Sequence, residues 1–157
     1  MLIKTHFVIT IFGILLLISH VEHKIIFVVV ALVSTFIPDI DSRYSVMGRK
    51  KLNRILQFFT KHRGIIHSFV FLIFVTLVLV FIFPIIALGF FVGYGLHLFA
   101  DSFTVYGITP LYPFSKKKSK GFVVSGKKFE KFVFVSFLVF DIILFLSKFL
   151  NIYLLSK

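Results

Sequence analysis

The chain has no cysteine, no tryptophan and few charges, and each shortage narrows what it can be. Without cysteine there are no disulfides, and the redox compartment is left undetermined. Charged residues make up 15 % of the chain and hydrophobic ones 59 %, with a mean hydropathy of +1.04. A soluble globular domain carries roughly a quarter charged residues, so an ordinary soluble fold is excluded. Acidic residues number 6 against 18 basic ones, for a formal net charge of +12. Such an excess raises nucleic acid as a partner, but in so apolar a chain it first asks which membrane face holds the charge. No small-residue cleavage site follows the first apolar segment, where SHVEHK is polar and bulky. That segment therefore reads as a retained helix and not as a signal peptide. No internal repeat is visible.

What the chain does have is long apolar runs, among them FVITIFGILLLIS and FLIFVTLVLVFIFPIIALGFF. Stretches of about 18 or more apolar residues read as bilayer spans. Five are expected, over 2–19, 23–37, 65–83, 85–104 and 132–155, with Pro84 separating the third from the fourth. The second is short for a hydrocarbon core of about 30 Å, which suits a tilted, covered or re-entrant segment. The expected fold is all-α: one membrane-embedded helical bundle of about five transmembrane helices, a single domain over 1–157. Two long polar loops remain, 38–64 and 105–131.

If the chain alternates across the bilayer, the N-terminus and both loops share one side. That side then carries fifteen of the eighteen basic residues, leaving only Lys24, Lys148 and Lys157 opposite. By the positive-inside rule the loops and the N-terminus are cytoplasmic, and the protein is a multi-pass inner (cell) membrane protein.

On this topology the groups capable of chemistry gather at one face. His6 lies a turn inside the first span, and Asp39 and Asp41 follow the second in FIPDIDS. His62 precedes the third span, His67 lies a turn within it, and His97 and Asp101 occupy the last turns of the fourth. Ionisable groups at membrane depth are costly and point to function. His97 and Asp101 are four apart and share a helix face; Gly64 lets His62 come from the loop and His67 from the helix. Mixed imidazole and carboxylate donors suit zinc, or manganese and iron, better than calcium or magnesium. Seven candidates exceed the four ligands of one tetrahedral zinc, so two or more divalent ions are expected. A knot of polar side chains tying helix ends together is the structural alternative.

At these residues the sequence resembles the YdjM-type membrane-bound metal-dependent hydrolases, sometimes labelled LexA-regulated. The matching pieces are Thr5-His6, PDIDSRYSVMG at 38–48, HRGIIHS at 62–68 and HLFADSFTVYGITPLYPFS at 97–115. The family is distantly similar to the zinc-dependent phospholipase C and P1 nuclease group. The resemblance implies that His6, Asp39, His62, His67, His97 and Asp101 are metal ligands, and that Asp41 is a ligand or the proton-handling carboxylate. It implies hydrolysis of a phosphoester such as a phospholipid.

Around the cluster, Arg63 is a candidate phosphate clamp or headgroup anchor. Ser68 and Thr104 are candidates for contacts to ligand or substrate, with helix capping as the alternative. The runs KKKSK and GRKKLNR suit headgroup contact or guidance of an anionic substrate. A metal carrier is the second functional class, and Asp141, midway along the fifth span, is its single residue beyond the cluster. Nucleic-acid recruitment ranks last, since the basic loops have few aromatics interleaved with their lysines, Phe114, Phe122 and Phe129 among them. Gly89 and Gly93 form a GxxxG suited to close helix packing. His20, Glu22 and His23 read as a solvated turn on the far side.

Overall fold

The computed structural model describes residues 1–41 and 65–155, and side chains through Asp39 and from Ile65 to Leu150. The described residues form five α-helices: α1 (Ile3–Leu17), α2 (Lys24–Ser34), α3 (Phe69–Ile82), α4 (Pro84–Ser102) and α5 (Lys128–Leu155). Short 3₁₀ turns extend α1 over Ile18–His20 and follow α2 over Ile37–Asp41. The only strand-like pairings among the described residues are two isolated bridges, Thr104 with Val123 and Ile108 with Ser119. The all-α expectation holds.

Among the described residues, three segments are long and apolar enough to cross a membrane: Ile3–His20, Pro84–Ser102 and Lys128–Leu150. The other two helices are shorter than the expected spans. α2 has 11 residues and α3 has 14, so at 1.5 Å per residue they rise only about 17 and 21 Å against a core of about 30 Å. Each is shortened at the end nearest the polar cluster. There Ser34 and Thr35 turn back on the Ala31 carbonyl, and Ser68 caps α3 by accepting from Phe71 N at 3.2 Å. Pro84 occupies the first turn of α4, where its missing N–H costs nothing, and Phe83 breaks α3 from α4. At the other extreme, α5 begins four residues earlier than expected. Glu130 stands in its first turn, favourable against the positive end of the helix dipole.

α4 is the hub, packing against α1, α2 and α3, whereas α5 packs on α1 alone among the described elements. The expected glycine pair explains the closest contact. A Cβ on Gly93 would overlap the Ala31 carbonyl oxygen and Ser34 Oγ, and one on Gly89 would stand 3.0 Å from Phe27 O. Backbone thus meets backbone between α2 and α4. Ser34 Oγ donates to Gly89 O at 3.3 Å, and the Thr10 and Thr35 hydroxyls meet at 2.9 Å. Leu72, Phe90, Tyr94, Leu98 and Ile108 form one core cluster and Ile14, Phe27, Ala31 and Val92 another. Both flank α4.

Candidate metal centre

The C-terminal end of α4 carries His97 and Asp101, both fully buried. Their side chains meet residues from three other segments. His6 of α1 stacks on His97 with ring centroids 3.9 Å apart and planes inclined by 7°. Its Nε2 lies 3.2 Å from Asp101 Oδ1. From the 3₁₀ turn after α2, Asp39 Oδ1 lies 3.8 Å from His97 Nε2 and 4.0 Å from His67 Nε2. His67 precedes α3 and meets the His97 ring edge-on at 5.9 Å. The α-amino group of Met1 lies 2.6 Å from Asp101 Oδ1. Two triads result: His6, His97 and Asp101; and Asp39, His67 and His97. In each, one ligand atom per residue lies within 4.8 Å of the others.

The tautomer of His97 follows from its surroundings. Its Nδ1 stands 2.8 Å from the Thr35 carbonyl oxygen, which only accepts, so Nδ1 carries the proton and donates. In the neutral ring Nε2 then presents a lone pair. That nitrogen is buried without a hydrogen-bond partner, facing Asp39 Oδ1 at 3.8 Å and Asp101 Oδ2 at 4.0 Å. A lone pair and two carboxylate oxygens at these distances offer three donor atoms to one cation. His6 Nδ1 is likewise buried without a hydrogen-bond partner. The donor set fits a divalent cation of the imidazole-and-carboxylate type. A carbonyl fixing the far nitrogen of a ligating histidine is the usual outer support of such sites.

Of the seven ligands expected, His6, Asp39, His67, His97 and Asp101 come together. Asp41 is placed by its backbone in the turn Ile37–Asp41, but its side chain lies outside the described residues, as do His62 and Arg63. Ser68 and Thr104 adjoin the cluster with their hydroxyls engaged by backbone. Ser68 Oγ donates to Ile65 O at 2.7 Å, and Thr104 Oγ1 donates to Asp101 O at 2.7 Å while accepting from Gly107 N.

Three supporting groups were absent from the sequence reading. The Thr35 carbonyl is backbone, which no motif reveals. Tyr94 Oη donates to Ile66 O at 2.5 Å, holding the segment that carries His67. Glu130, 1 % exposed, accepts from Leu2 N at 2.5 Å, Thr5 Oγ1 at 3.0 Å and Gly126 N at 2.5 Å. It therefore fastens the start of α5 to the residue beside His6. An acidic side chain three places into a helix and amid lysines was its only signal.

Comparison with known proteins adds the family. The model of the YdjM inner membrane protein family matches residues 1–154. No curated protein and no solved structure matches.

Proposed function

Because the chain belongs to the YdjM inner membrane protein family, we propose that it is a membrane-bound metal-dependent hydrolase acting on a phosphoester such as a phospholipid. The observation that carries this reading is His97, whose Nδ1 is held by Thr35 O while Nε2 faces two carboxylates. His6, Asp39, His67, His97 and Asp101 hold the cation, for which zinc is the best match and manganese or iron the next. The single lone pair of His97 Nε2 belongs to two triads, so a second ion would take further donors, for which Asp41 and His62 are the candidates. Divalent ions bound there supply Lewis acidity to a phosphoryl oxygen and acidify water.

The residues of the chain do the rest. Burial of His6, His97 and Asp101 excludes bulk water from one side of the centre. Asp41 is the proposed proton acceptor, and Arg63 the proposed phosphate clamp; Ser68 and Thr104, buried with their hydroxyls bonded to backbone, brace the segments that carry His67 and Asp101. The basic segregation of the sequence supports a cytoplasmic site at headgroup depth.

The test is elemental analysis of the purified protein, joined to turnover of a panel of phosphoesters and phospholipids before and after chelation. Stoichiometric zinc, and activity lost on chelation and restored by metal, are expected. Turnover indifferent to metal removal would overturn the reading.

One observation favours a second reading, a divalent-metal carrier without hydrolytic activity. Asp141 of α5 is 7 % exposed, and both its carboxylate oxygens lack a hydrogen-bond partner. Metal flux into liposomes that disappears in Asp141→Asn would establish it.

A further inference from the structure

The segment from Phe103 to Lys127, between α4 and α5, forms a closed strap and not a trailing loop. Val105 N donates to Val123 O and Val123 N to Phe103 O, both at 3.0 Å, while Ile108 and Ser119 exchange backbone bonds at 3.0 and 2.9 Å. Gly107, at φ +62, permits the turn that brings Ser119 against it. The strap is fastened at three points, each within three residues of the centre. Thr104 follows Asp101 by three and accepts from Gly121 N at 2.9 Å. Phe69, two beyond His67, donates its N–H to Pro110 O at 2.9 Å. Gly126 reaches Glu130, which holds Thr5 beside His6.

The inward side chains of this strap are ordinary core. Ile108 and Val123 are buried. Its outward face is not ordinary for a loop in water. Phe114 is 84 % exposed, Phe122 68 % and Tyr106 67 %. Lys116, Lys117, Lys118 and Lys120 stand exposed between the two phenylalanines. Apolar rings in an ordered segment need an apolar neighbour, and the clustered cations between them need an anionic one. The headgroup region of a bilayer offers both at one depth. The surface is also continuous with the exposed Phe129 and Phe132 at the start of α5, a helix apolar enough to cross the membrane. At the start of α1, an apolar groove of about 330 Å³ is lined by Ile3, Lys4, Phe7, Val8, Phe36 and Phe134. That groove suits an acyl chain and neither a nucleic acid nor an acidic protein.

We propose that the outward face of the strap 103–127 docks anionic phospholipid, with Phe114 and Phe122 inserted among the headgroups and the four lysines contacting their phosphates. Docked lipid is thereby held at the rim of the metal centre. The proposal rests on the hydrolase reading only in treating that lipid as the substrate class; the docking is measured without turnover, so the two fail separately.

Because the chain has no tryptophan, Phe114→Trp gives a single fluorescent reporter in the full-length protein. In nanodiscs of phosphatidylglycerol and phosphatidylcholine its emission is expected to be blue-shifted and quenched by brominated acyl chains. Native mass spectrometry from equimolar mixed lipid is expected to retain phosphatidylglycerol preferentially. Replacing Lys116, Lys117, Lys118 and Lys120 together by Gln should lower that preference by roughly tenfold or more, while replacing all four by Arg keeps it. A reporter quenched by aqueous iodide and untouched by brominated lipid would overturn the proposal. So would a lipid preference unchanged by the Gln set, or lysine-dependent capture of an oligonucleotide with no lipid preference.

Discussion

Helices α4 and α5 are the two longest among the described residues, and both qualify as membrane spans, yet they occupy opposite surroundings. Of the α4 span 56 % is buried inside the protein, against 6 % for the α5 window, and the more apolar helix is the less buried. In water the reverse would hold. In a bilayer, hydrocarbon is as good a neighbour as a leucine, so apolar side chains gain little by turning inward. What draws a helix to the centre is the close approach permitted by Gly89 and Gly93, and polar groups such as His97 and Asp101 that need partners. α5 has no such glycine pair, its buried acids are confined to Glu130 at its start and Asp141 midway, and among the described elements it packs on α1 alone.

Substitutions that push this contrast to its limits should fall in a definite order. His97→Ala or Asp101→Ala removes a donor from the triads and should abolish metal retention, read by elemental analysis, while the helices remain by circular dichroism. Gly93→Leu forces a side chain into the Ala31 carbonyl and Ser34 hydroxyl. Overpacking of this kind costs about 1–3 kcal/mol, seen as a lower detergent-denaturation midpoint. It also shifts the Thr35 carbonyl from His97, which should weaken binding of the proposed metal about 10- to 100-fold. Glu130→Ala removes the hydrogen bonds that tie the start of α5 to α1 and strands Leu2 N, Thr5 Oγ1 and Gly126 N. A loss of about 2 kcal/mol is expected, with weaker metal binding that Glu130→Gln partly restores. Asp141→Leu should be neutral or stabilising by about 1 kcal/mol, because it removes buried oxygens that have no partner. Its metal content should match the parent. A large loss there would mean that α5 contributes to the centre directly, and would dissolve the contrast.

Much of this was legible in the sequence. The five helical segments follow from runs of apolar residues and from Pro84, whose effects are local. The convergence of His6, Asp39, His67, His97 and Asp101 was readable because each sits at a helix end, and topology alone brings alternate ends to one face. What escaped depends on tertiary contact. The shortness of α2 and α3 comes from Thr35 and Ser68 turning to backbone carbonyls, and the tautomer of His97 from one of those carbonyls. Glu130 was hidden in plain view, since in a lysine-rich stretch a lone acid reads as a solvated charge until Leu2 and Thr5 are found bonded to it. The strap was legible only as a polar loop, because its alternation of buried Ile108 and Val123 with exposed Phe114 and Phe122 follows from bridges between residues some eleven and nineteen positions apart.

The bond between Glu130 and Thr5 also bears on biogenesis. A ribosome releases α1 long before α5, so His6 emerges early but the residue beside it gains its lock only when α5 is inserted. Nascent chains halted before residue 128 hold every donor of both triads and still lack the clasp that seats the earliest one. Secure loading of the proposed metal should therefore follow insertion of α5, with chains arrested before it holding the ion loosely.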